Sequence, residues 1–133
     1  MDIQEHIRSS RRSGTIDFVI EKRSEDCVIS SMPITDGVRN PFGTVQAGAL
    51  IWLADVTASV LTIGTREIGP AGEGFPLAVN LHTTLMGNQR EGNVRAEARF
   101  VRKGQTVIVV RTRVTGEEEH LLAEITSTHI RAV

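Results

Sequence analysis

Between Ala47 and Ile63 the chain carries a single charge, Asp55, and apolar side chains occupy every side of the helical wheel. A helix of that kind is either a membrane span or the buried centre of a folded domain. The run sits at the short end of the roughly 17–25 residues that a span needs, and a central aspartate would cost it about 2.5–3.5 kcal/mol. Its flanks read as strands of a sheet, so we place it inside a domain and expect no membrane partner. In such a place an ionised carboxylate is costly unless it is paired, hydrogen-bonded or reached by water. Asp55 is therefore either a satisfied core acid or a residue with a task.

At 133 residues the chain is expected to form one domain, 1–133, with residues 1–13 as a lead segment. Ile3 and Ile7 give that lead one apolar face, but a solvated, partly frayed terminus is the expectation. From Gly14 the period changes to two, with Ile16, Phe18 and Ile20 on one side of a half-buried strand. A turn at Arg23-Ser24-Glu25-Asp26 leads to a second strand, Cys27 to Met32, closed by Pro33. Residues 34–45 read as a loop, with Thr44 as N-cap of the apolar helix. Gly64 and the stretch Gly69-Pro70-Ala71-Gly72-Glu73-Gly74 end that helix.

Four strand-like runs follow: Leu77–Leu85, Val94–Phe100, Thr106–Val114 and Leu121–Ile130. Gly87-Asn88, Lys103-Gly104 and Thr115-Gly116 lie between them, as hairpins want. Two strands, a long buried helix and four strands make an α+β layout with an antiparallel sheet. The helix covers one face of that sheet. The other face and the edge strands need cover, and an oligomer is the simplest supply.

The formal net charge of −1 argues against a general nucleic-acid binder. Cys27 is the one cysteine, which excludes an internal disulfide and fits a reducing, cytoplasmic setting. No apolar signal stretch occurs in the first thirty residues. His6, His82, His120 and His129 show no metal-ligand spacing, so surface or pairing roles are expected and no metal site. Trp52 and Met86 read as core.

The chemistry starts at the helix N-terminus, where backbone N–H groups have no partner inside the helix. Val45, Gln46 and Ala47 fall there, and Gly48 lets a ligand come close. Such a tip suits an oxyanion or a polarised carbonyl. Asp55 lies nine residues past Gln46, about 13 Å along the axis. One small reacting group cannot touch both. If both act on one bond they must come from two chains, and a two-fold dimer would build two equal sites.

The stretch Asn40-Pro41-Phe42-Gly43-Thr44-Val45-Gln46-Ala47-Gly48, followed by Asp55, resembles the hotdog-fold acyl-CoA thioesterases of the PaaI/4-hydroxybenzoyl-CoA thioesterase superfamily. The strand order and the Arg102-Lys103-Gly104-Gln105 turn also look like that family, over roughly residues 14–131. The resemblance implies a hotdog fold, an antiparallel sheet wrapped around one central helix. It implies hydrolysis of acyl-CoA, with Asp55 as nucleophile or general base and the Ala47 N–H polarising the thioester carbonyl. Asn40 matches a polar residue that positions the carbonyl or the water, and Ser59 a hydroxyl one turn beyond Asp55. It further implies homodimers, often paired into homotetramers, and no cofactor beyond the coenzyme A of the substrate. Gln46 stands where the family carries His, Ala47 replaces its first Gly, and Ala78 stands where some relatives carry Ser or Thr. Glutamine can orient a group but cannot take up a proton near neutral pH.

A thioester carbonyl is activated and its thiolate leaves without strong acid help, so one carboxylate and an oxyanion site suffice. For the coenzyme A phosphates the candidates are Arg102 and Lys103, then Arg90. Phe42 either lines an acyl pocket or anchors the loop. Two other readings compete: an acyl-CoA-binding module without catalysis, and a hotdog enoyl-CoA hydratase. The hydratase pattern is echoed by Asp36 and Asn40-Pro41, but Gly43 occupies its His position.

Overall fold

The computed structural model describes residues 1–131. One antiparallel six-stranded sheet curls around one long helix. The elements are α1 (Ile3–Ser9), β1 (Val19–Arg23), β2 (Cys27–Pro33), α2 (Ala47–Ile63), β3 (Leu77–Leu85), β4 (Asn93–Lys103), β5 (Val107–Thr115) and β6 (Leu121–Ile130). The expected hotdog fold is the one observed. No helix among the described residues is long and apolar enough to cross a membrane.

Helix α2 is buried because its apolar residues surround it on more than one side. Leu50, Leu53 and Ala54 pack with Met32, Val94, Leu122 and Ile125. Farther along, Ala58 and Leu61 meet Val28, Ala98, Ile108 and Val110. Each fully buried leucine contributes about 1.5–3 kcal/mol. A polar contact fixes the helix's rotation: the Thr57 hydroxyl donates to the Leu53 carbonyl at 2.6 Å and meets Ser30 of β2.

Four expectations need correction. The strand order is β1-β2-β4-β5-β6-β3, so β3 does not form a hairpin with β4. Gly87-Asn88 instead carries the chain across, with the Met86 and Gly87 N–H groups both donating to the Leu122 carbonyl. The first strand is an exposed edge that starts at Val19 rather than a half-buried one from Ile16; only Phe18 turns inward, edge-on to a half-buried Trp52. Met86 is exposed, not core. The lead is not frayed either. Asp2 caps α1 through the Gln4 and Glu5 N–H groups, and the segment docks on the loop before α2.

The two edges differ. β1 carries Glu21, Lys22 and Arg23, charges that blunt an edge. β3 shows Leu77, Val79, Leu81 and Leu85, all exposed. Leu81, Thr83 and Leu85 pair in register with Ser127, Ile125 and Ala123, so they share the helix-facing side of the sheet. No described residue of the single chain covers them.

Candidate active site

The start of α2 is held from two directions. On one side Asn88 grips Val45: its Oδ1 accepts the Val45 N–H at 3.0 Å and its Nδ2 donates to the Val45 carbonyl at 2.9 Å. On the other side the Asn40 side chain folds the loop on itself. Its Oδ1 accepts the N–H groups of Phe42 and Thr44, and its Nδ2 donates to the Thr44 hydroxyl at 2.7 Å. Three cationic or aromatic groups then clamp the same loop. Arg12 donates to the Asn40 carbonyl, Arg90 to the Phe42 carbonyl, and His6 sits 2.9 Å from the Pro41 carbonyl while stacking on Phe42. Sequence reasoning missed Asn88. Its only trace was a turn residue beside a glycine.

These bonds decide which N–H groups remain free. The Val45 N–H is taken by Asn88 and Gln89, and that of Gln46 donates to the Val38 carbonyl at 2.9 Å. Among the described residues Ala47 and Gly48 make no such bond, and both are exposed. The free pair is thus Ala47 and Gly48, one residue later than the expected group of Val45, Gln46 and Ala47. The N-cap residue is Gln46 rather than Thr44, and it caps nothing with its side chain. That amide donates instead to the Gly37 carbonyl at 3.3 Å.

Asp55 is half-buried on the flank of α2. Its Oδ1 is sealed from solvent and has no hydrogen-bond partner among the described residues. Leaving such a buried acceptor unpaired costs about 1–3 kcal/mol. Ser59 follows one turn later, also half-buried. Asp55 and the free N–H pair are on one helix, about 12 Å apart along its axis. The structure therefore does not bring the acid and the amides together within one chain.

The cationic candidates separate as well. Arg90 is committed to the loop at the helix tip, and Arg102 is exposed. Lys103 lines an open cleft of about 750 Å³ at the far end of α2, together with Arg23, Arg66, Arg131 and Glu25. Four cations and one carboxylate there make a patch suited to phosphate. Phe42, 52% exposed, anchors the loop through His6 and faces solvent on its other side.

Of the two roles expected for it, surface or pairing, His129 takes the second: it is 0% exposed, inside β6 on the helix-facing side, with the Ser127 hydroxyl beside its Nε2. Burial pushes its pKa below the ordinary imidazole value, with the nearby Asp55 charge pulling partly the other way. The unfolded chain then takes up a proton near pH 6.5, while the folded chain does so only at lower pH. Stability is accordingly full above about pH 6.5 and is lost as pH falls through that window toward the folded value. Urea unfolding at pH 7.0, 6.0 and 5.5 is expected to show a falling midpoint. His129→Asn is expected to flatten that slope.

No family model matches the chain. ComA2 of Bacillus subtilis strain 168, named as a candidate esterase, is 28% identical over 104 residues, 78% of this chain and 79% of its own length. A candidate thioesterase, the phenylacetic acid degradation-related protein of Ralstonia eutropha JMP134, has a solved structure with TM-score 0.75 and 26% identity, covering 85% of this chain and 83% of its own. A protein of Streptococcus pneumoniae TIGR4 described as a hypothetical thioesterase, solved with coenzyme A, has TM-score 0.76 and 16% identity, covering 87% of this chain and 89% of its own. The expected hotdog thioesterase likeness, a PaaI-related neighbour included, is thus borne out at the level of the fold.

Proposed function

We propose that this chain is a thioester hydrolase acting on acyl-coenzyme A, working as a two-fold dimer with a shared site. The observation that carries the reading is the pairing, on one helix, of an unpartnered buried carboxylate oxygen with two free amides too distant to meet it. An antiparallel pair of helices across a two-fold axis brings one tip beside the partner's acid, twice. The exposed apolar edge of β3 is the surface that such a dimer covers. Solved thioesterases of the same fold, one holding coenzyme A, support the substrate class.

In this reading the Ala47 and Gly48 N–H groups donate to the thioester carbonyl oxygen as it gains charge. Asp55 of the other protomer either takes a proton from water as the water oxygen bonds the carbonyl carbon, or bonds that carbon itself. In both routes the C–S bond breaks and the sulfur leaves as thiolate. Direct attack leaves an acyl-Asp55 anhydride that water then opens. No cofactor beyond the coenzyme A of the substrate is needed. Asn40, with all its side-chain bonds inside the loop, acts by holding the tip in place. Ser59 is near enough along the helix to help hold the water. The basic cleft, with Lys103, Arg66 and Arg131, receives the phosphates better than Arg102 or Arg90 does.

The test is thiol release from a panel of aryl, medium-chain and short-chain acyl-CoA thioesters. Turnover of at least one member, with saturation, is expected. Tight binding of all active-length thioesters with no thiol released would instead favour a binding module, the reading that Gln46 in place of an imidazole supports. Water addition to an enoyl-CoA without thiol release would favour the hydratase.

A further inference from the structure

The inward side of β6 reads Ile125, Ser127, His129, and the last two break an otherwise apolar row. The imidazole is wholly enclosed. Its strand neighbours in register are Ala78 of β3 and Ile108 of β5, which offer it no polar atom. On its own strand the Ser127 hydroxyl lies 2.8 Å from His129 Nε2. That hydroxyl has no other side-chain partner among the described residues, and its proton suits an unprotonated Nε2. A neutral ring accepting at Nε2 carries its proton on Nδ1.

Among the described residues His129 Nδ1 has no hydrogen-bond partner, and neither has the buried Oδ1 of Asp55. One is then a stranded donor and the other a stranded acceptor. Asp55 is on the helix packed against this strand, and its charge acts on the ring. Each stranded group pays its own desolvation cost, and pairing them removes both penalties. The helix tip, meanwhile, carries Gln46 and no imidazole.

We propose that His129 is a positioning residue for Asp55: Ser127 fixes the neutral ring with its proton on Nδ1, and the two side chains, unbonded to each other in this structure, turn together so that this N–H holds the carboxylate's buried oxygen. The free oxygen is then aimed at the open side of α2. Because burial keeps the ring neutral near pH 7, it donates one hydrogen bond and leaves the negative charge on Asp55. The kinetic part of this proposal rests on the thioesterase reading; the pairing itself does not.

Two measurements decide it. In long-range ¹⁵N–¹H spectra of the full chain, His129 is expected as the Nδ1–H tautomer. Its titration midpoint is expected to fall by at least half a unit in Asp55→Asn, since the carboxylate favours the charged ring. An Nε2–H tautomer, or a midpoint unmoved by Asp55→Asn, overturns the pairing whether or not any thioester is hydrolysed. In steady-state assays His129→Leu is expected to lower kcat ten- to a hundredfold with KM within twofold. His129→Asn, whose amide nitrogen lies where Nδ1 was, is expected to recover most of the loss. Equal activity of the two variants overturns the positioning role, and should His129→Leu not fold, the spectra still decide.

Discussion

Asp55→Asn is expected to lower kcat for thioester hydrolysis by about 10²–10⁴, the usual worth of a positioned general base, with little change in KM. The substitution keeps the volume and removes only the charge and its basicity. It takes a charge from a half-buried position while keeping an amide oxygen that can accept the same hydrogen bond, so thermal stability is expected to be unchanged or slightly higher. Direct attack and water activation both require the carboxylate, so either route predicts the loss. Single-turnover thiol release alongside a melting curve reads both quantities. A variant that folds and retains near wild-type kcat would remove Asp55 from the chemistry. Trapping of an acyl group on Asp55 in the wild type, followed by mass spectrometry, would separate the two routes.

If the proposed dimer forms along β3, Leu81→Glu is expected to convert it to monomers and to reduce turnover at least a hundredfold. Leu81 is 41% exposed on the edge strand, and it shares the helix-facing side with Thr83 and Leu85. An edge with four exposed aliphatic side chains invites pairing with another strand. A two-fold axis running past β3 would join two sheets and bury those side chains. A carboxylate placed there meets its own copy across the axis, so repulsion and desolvation both act against assembly. Light scattering after gel filtration reads the state, and the same fractions assayed for thiol release read the activity. In a monomer the Ala47 and Gly48 amides are about 12 Å from the sole Asp55, and the site is incomplete. A variant that is monomeric and fully active would show that one chain suffices.

The helix was the most legible element. Its observed span, Ala47–Ile63, coincides with the apolar run, because an unbroken stretch bounded by a polar loop and Gly64 leaves few alternative registers. β3 and β6 were equally clear, bounded by turn residues and long enough to alternate. The path between β3 and β4 was not. Gly87-Asn88 has the same composition whether the chain folds back or crosses, and the decision lies in distant bonds: Asn88 to Val45, Met86 to Leu122. The helix tip was legible as a place but not in detail. Which amides stay free depends on Val38, Asn88 and Gln89 approaching from elsewhere in the sequence. His129 could have been found. Thr126 and Thr128 face outward while Ser127 and His129 face in, so polar residues at the apolar phase of a strand were the available signal.

The grip of Asn88 on Val45 links two things that look separate, since β3 runs through Met86 and Gly87 into that asparagine. Whatever docks along the open margin of the sheet is mechanically tied to the amides that would greet the carbonyl. A solitary protomer would then be idle twice over, short of its acid and slack at its tip. On the proposed shared site, newly made chains would thereby be kept from cleaving thioesters until they had found one another.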